Sequence, residues 1–139
     1  MFESLIKLNI QIYAYCILSN HYHILIKGEH WKENSKFIQL INGGSSYQLN
    51  KFEHIERRSI WATRWAKKVN KQNDFEIILG YILGNPIKHG LTQDIKSLFA
   101  YQFCNYRESI KEMGIEYIDN LILKTIALNP NFEEQEKIL

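Results

Sequence analysis

Ser19-Asn20-His21-Tyr22-His23-Ile24-Leu25-Ile26 sets two histidines either side of one bulky residue and follows them with an apolar run. In a β-strand, residues i and i+2 point to the same face. His21 and His23 are therefore expected side by side on one face, with Tyr22 on the other. Upstream, Ile10-Gln-Ile-Tyr-Ala-Tyr-Cys-Ile-Leu18 is rich in β-formers and predicts a strand over 10–18. The Leu18-Ser-Asn20 step suits a tight turn into a second strand over 22–27. The expectation is a hairpin carrying an imidazole pair at the start of its second strand. Such a pair has two readings, a pair of metal ligands or two polar residues on a solvated face.

Working outward, Gly28–Asn34 reads as a loop, with a short helix end over 2–8 before the hairpin. Ser35 is a candidate cap for a helix through Phe37, Ile38, Leu40 and Ile41. Asn42-Gly-Gly-Ser-Ser46 is expected to interrupt that helix, with a second piece from Tyr47 to Phe52. Ile60–Thr63, continued through Val69, predicts a short strand. Asp74 is a good N-cap, and Phe75, Ile77, Ile78, Tyr81 and Ile82 recur at helical spacing. Pro86 disfavours helical geometry at Asn85, so this helix is expected to end near 84–85. His89-Gly90-Leu91 reads as the closing turn. Further helices are expected over 108–113 and 118–128. Together these predict an α+β domain with an antiparallel sheet and flanking helices.

The chain has 139 residues, 45% hydrophobic and 23% charged, which are ordinary values for one globular domain. Net charge is only +2, but it is unevenly spread. Between Lys51 and Gln72, seven basic residues stand against two acidic ones. From Glu108 onward, seven acidic residues stand against three lysines. The middle is thus a candidate polyanion-facing surface, and the tail is not. Arg57, Arg58, Arg64, Lys67 and Lys68 are its candidate contacts to a phosphate backbone, with Trp61 and Trp65 interleaved to stack unpaired bases. An ordinary solvated face is the alternative. Cys16 and Cys104 are the only cysteines. Cys16 in its apolar strand suggests a buried free thiol, which points to a reducing compartment and a cytoplasmic location. Neither a signal peptide nor a membrane span is expected.

Tyr81 and Asn85 are four apart and share one helix face. If they meet the histidines, the parts are two imidazoles, an amide oxygen and a phenol. A divalent cation on such donors can polarise a phosphodiester, and an in-line tyrosine can attack the phosphorus. A phenol titrates near 10 when unperturbed, so it needs assistance to act as a nucleophile. Lys88 stands where it could steer a phosphate. His89 could be a turn residue without a role. Tyr13, Tyr15, Tyr101 and Tyr106 read as packing residues.

His21-Tyr22-His23, with Asn20 before and Ile-Leu-Ile after, resembles the His-hydrophobic-His motif of the IS200-like single-tyrosine (HUH) transposases. Tyr-Ile-Leu-Gly-Asn-Pro-Ile-Lys-His-Gly-Leu (81–91) resembles the nucleophile helix of their REP-associated relatives. The resemblance spans about residues 5–106. It implies a ferredoxin-like antiparallel sheet, with His21, His23 and Asn85 as ligands of Mg²⁺ or Mn²⁺ and Tyr81 as nucleophile. The implied substrate is single-stranded DNA bearing a hairpin, cut to leave a 5′-phosphotyrosine and a free 3′-OH, by a monomer or a homodimer. A catalytic domain over 1–106 and a helical extension over 107–139 are expected. Members of the family usually begin with another strand and helix, so the catalytic domain is expected to be N-terminally short.

Three further readings compete. One is an inactive relative that holds hairpin DNA without cutting it. Another is an RNA-binding sheet using Tyr13 and Tyr15. The third is a metal-dependent hydrolase using water, for which the motifs offer no carboxylate.

Overall fold

The computed structural model describes residues 8–62, 64 and 66–128. Two strands form an antiparallel hairpin, β1 (Gln11–Ile17) and β2 (Tyr22–Lys27). Helices follow as α1 (Trp31–Phe52), α2 (Gln72–Lys88), α3 (Ile95–Leu98), α4 (Tyr106–Met113) and α5 (Ile115–Leu128). The class is α+β, as the sequence predicts. The contacts divide the chain into two compact units. One holds the chain up to Gln11 together with Ile26–Lys68, and the other holds Ile12–Leu25 and Val69 onward. No helix among the described residues is long and apolar enough to cross a membrane. The expected helix end over 2–8, apart from Leu8, and the positions of Thr63 and Trp65 lie outside the described residues.

The first unit is built on α1, and here three expectations are corrected. The helix begins four residues before Ser35, because the start signal is His30, whose backbone N–H donates to the Glu33 carboxylate at 3.3 Å. It then runs unbroken through Gly43-Gly44. Ser45 Oγ donates to the Ile41 carbonyl at 2.7 Å, which keeps its hydroxyl from competing with the helical ladder. A glycine in a helix costs only about 1 kcal/mol, so two of them do not end a 22-residue helix. The strand expected over 60–69 does not form among its described residues. Side chains of α1 hold this segment instead: Asn50 Nδ2 donates to the Arg58 carbonyl at 2.9 Å, and Trp61 Nε1 donates to Ser45 Oγ at 2.9 Å. β-propensity is expressed on a pleated surface with strand neighbours, and these residues have none.

The second unit holds the main core. Ala14, Cys16 and Leu18 alternate inward along and just beyond β1 and join Leu79, Leu83, Leu98, Ile118 and Ile122. Tyr13 stands edge-on to Phe75, with ring centroids 5.0 Å apart, and Tyr15 is half-buried. Tyr13 packs against the core, as the sequence predicts. A short segment extends the sheet edge beside β1: Ile17 N–H donates to the Phe103 carbonyl and Asn105 N–H to the Tyr15 carbonyl. Asn105 clamps it further. Its Oδ1 accepts from Tyr15 N–H at 2.7 Å and its Nδ2 donates to the Tyr13 carbonyl at 3.2 Å. Tyr101 donates to the Ile17 carbonyl and Tyr106 to Asp119, both in packing roles.

Two expectations for α2 are also corrected. Its N-cap is Lys71, and Asp74 sits inside the first turn, where its charge favours the helix dipole. The helix also passes through Pro86 to Lys88. Proline removes one donor near the helix end. The chain beyond compensates: His89 N–H reaches the Asn85 carbonyl at 3.0 Å and Leu91 N–H the Pro86 carbonyl at 2.8 Å. Gly90, at φ +69°, then takes the left-handed turn that an L side chain resists.

Candidate active site

Small residues on one face of α2 determine what its other face can reach. A Cβ on Gly80 would lie 2.5 Å from the Leu121 carbonyl oxygen and 2.6 Å from Thr125 Oγ1, so α5 lies directly against this glycine. Gly84, one turn on, faces Ile122, where a Cβ would meet Cγ2 at 3.1 Å. Residues one position further along are rotated by about 100° around the axis. That rotation aims Tyr81 and Asn85 away from α5, and the ring of Tyr81 meets the hairpin.

The turn between the strands closes with Leu18 N–H donating to the His21 carbonyl at 2.9 Å. His21 directly precedes β2 and His23 lies within it, so the period-2 geometry puts both imidazoles on the face of buried Leu25. Their centroids are 5.0 Å apart, with planes at 89°. The ring of His23 is 5.4 Å from that of Tyr81. Asn20 Oδ1 lies 2.7 Å from His21 Nδ1 and can orient that ring. The pair expected from the sequence thus meets the expected phenol.

Asn85 is fully buried. Its Nδ2 donates to the Tyr81 carbonyl at 3.1 Å, which fixes the amide plane. Its Oδ1 is buried and has no hydrogen-bond partner among the described residues. An unmet buried acceptor costs about 1–3 kcal/mol, so an amide oxygen left this way fits a cation donor. Among the described residues, no three His, Cys, Asp or Glu side chains are placed to hold a metal ion. Asn85 Oδ1 is an oxygen donor of a type that can join two imidazoles on a divalent cation.

Lys88 completes the stripe 81, 85, 88. Its Nζ is 4.9 Å from the Tyr81 ring centroid, buried, and without a hydrogen-bond partner among the described residues. From the sequence, His89 reads as a turn residue without a role. Its ring lies 5.3 Å from that of His21. The available signal was its position four residues beyond Asn85, which returns it to the same side of the chain as α2 ends.

Arg57, Arg58, Arg64, Lys67 and Lys68 belong to the first unit. Arg58 pairs with Glu53 and is half-buried, which leaves Arg57, Arg64, Lys67 and Lys68 as the exposed cations of that segment. Trp61 is committed to Ser45.

The family model described as "Transposase IS200 like" matches residues 2–85, which include His21, His23, Tyr81 and Asn85. The chain belongs to the IS200-like transposase family. Membership carries a transposase function and DNA as the partner at the level of class. Searches of curated proteins and of solved structures return no match.

Proposed function

We propose that this chain is an HUH-type tyrosine strand transferase of the REP-associated kind, acting in the cytoplasm on single-stranded DNA that carries a hairpin. The observation that supports this most is the meeting of His21, His23 and Tyr81 in one cluster; the buried Asn85 oxygen, without a hydrogen-bond partner among the described residues, adds to it. His21, His23 and Asn85 would hold Mg²⁺ or Mn²⁺, which when bound supplies positive charge to the scissile phosphate. Tyr81 Oη gives up its proton to solvent and attacks phosphorus, forming the phosphotyrosine bond as the bond to the 3′ oxygen breaks. That oxygen takes up a proton and leaves as a 3′-OH. Attack by a 3′-OH on the phosphotyrosine reverses the step and joins strands without a nucleotide cofactor. Lys88 places an ammonium beside the reacting phenol, suited to a phosphate oxygen. Arg57, Arg58, Arg64, Lys67 and Lys68 would track the DNA backbone, and only the exposed ones are free to do so. The chain would act as a monomer or as a homodimer.

Covalent trapping tests the proposal. The protein is mixed with a library of hairpin-bearing single-stranded DNA and Mg²⁺ or Mn²⁺, then resolved on a denaturing gel beside Tyr81→Phe. A shifted band that the variant lacks supports the strand transferase and gives its cut site. No band from a folded protein that still binds the DNA would instead establish an inactive hairpin-binding relative.

A further inference from the structure

The only two cysteines of the chain stand opposite each other in the second unit. Cys16 on β1 and Cys104 form an antiparallel bridge. The hydrogen bonds on either side of it run from Ile17 N–H to the Phe103 carbonyl at 2.8 Å and from Asn105 N–H to the Tyr15 carbonyl at 3.3 Å. Both bonds come from flanking residues, so Cys16 and Cys104 are a non-hydrogen-bonded pair. In such pairs the Cα atoms lie about 4.5 Å apart and the side chains approach most closely. That separation falls inside the range of about 4.4–6.8 Å that a disulfide spans. Both residues are buried, at 0% and 5% exposure, and both are free thiols. The Asn105 clamp on Tyr13 and Tyr15 holds the two segments in this register.

We propose that Cys16 and Cys104 are an oxidisable dithiol, which closes to an intramolecular disulfide by exchange with small-molecule disulfides. One cysteine thiolate attacks a sulfur of the small disulfide, giving a mixed disulfide and one released thiol. The second cysteine then attacks the protein sulfur of that mixed disulfide and releases the other thiol. In sum, two cysteine thiols are oxidised, one small disulfide is reduced to two thiols, and both cysteine protons leave with those thiols. Burial slows the exchange twice over, by hindering entry of the reagent and by pushing both thiols up so that less thiolate is present, but it does not oppose the product, because the register of the pair suits a bridge. The bond would tie β1, which leads into His21 and His23, to the segment that leads into α4. The long loop it closes makes the constraint on the unfolded chain large.

The test uses the full chain in its native state, incubated with oxidised glutathione and then alkylated. Expected are the loss of both free thiols, an intact mass lower by two hydrogens, a Cys16–Cys104 link in the peptide map, and a Tm raised by about 5 °C or more. Cys104→Ala under the same treatment should show no such rise. The proposal fails if glutathione stays attached to either cysteine, if chains link to one another, or if no bond forms within days. It also fails if closure requires denaturant, if Tm falls, or if Cys104→Ala shows the same rise.

Discussion

The ring of His23 stands edge-on to that of Tyr81, with centroids 5.4 Å apart and planes at 79°. A strand residue and a helix residue, 58 positions apart in the chain, are thereby brought into one site. Replacing Tyr81 with Phe keeps the ring and this contact but removes the oxygen proposed as the nucleophile. The variant should form no covalent adduct while its affinity for a hairpin single strand stays within about threefold, because phosphate contacts dominate such binding. Fluorescence anisotropy beside the trapping gel checks both halves.

Asn85→Leu separates stability from metal binding. The substitution removes an unmet buried acceptor, which favours folding, and one hydrogen bond to the Tyr81 carbonyl, which opposes it. The first is about 1–3 kcal/mol and the second about 1 kcal/mol, of opposite sign, so Tm should hold or rise. Mn²⁺ affinity, measured by electron paramagnetic resonance or calorimetry, should fall about tenfold or more. Unchanged Mn²⁺ affinity would remove Asn85 from the ligand set.

Lys88→Gln should slow adduct formation by about 10²-fold, the usual cost of removing one positioned charge or donor. Equilibrium DNA binding should fall much less, since one of several cations is lost. Lys88→Arg should restore part of the rate. Equal losses in binding and rate, measured by single-turnover trapping and anisotropy, would make Lys88 an ordinary backbone contact.

Gly80→Ala and Gly84→Ala should differ sharply. The first puts a Cβ 2.5 Å from the backbone oxygen of Leu121, which cannot rotate away. It should destabilise by about 3 kcal/mol, at the upper end for overpacking. The second meets the Cγ2 methyl of Ile122 at 3.1 Å, which can give slightly, and alanine favours a helix by about 1 kcal/mol. Its net change should lie within about 1 kcal/mol. Urea melts of the two variants check this.

Alkaline pH should unfold the reduced protein through Cys16. Burial, then the facing Cys104, pushes its thiol from 9.0 up to about 12. The folded state thus holds this proton where the unfolded state releases it. Stability is complete below about pH 9 and falls as pH rises from there towards 12, at up to about 1.4 kcal/mol per pH unit. Cys16→Ala should flatten that slope in urea melts run from pH 8 to 10.5.

Local periodicity by itself determined much of the site. Alternation placed His21 beside His23, and the four-residue step placed Tyr81 beside Asn85, because both relations follow from the geometry of a single element. Only the tertiary structure decided which faces meet. Gly80 and Gly84 read as helix-weakening residues until α5 is seen against them. Asn105 looks like a loop residue until it bonds the backbone of β1. His89 and the Cys16–Cys104 pair likewise acquire meaning from partners far along the chain. Pro86 and Gly43-Gly44 mislead for the same reason. Their local cost is a few kcal/mol at most, which the bonds beyond Asn85 offset at Pro86 and the rest of a long helix absorbs at the glycines. The unmet Asn85 oxygen is likewise a tertiary fact, set by burial that the spacing of residues does not encode.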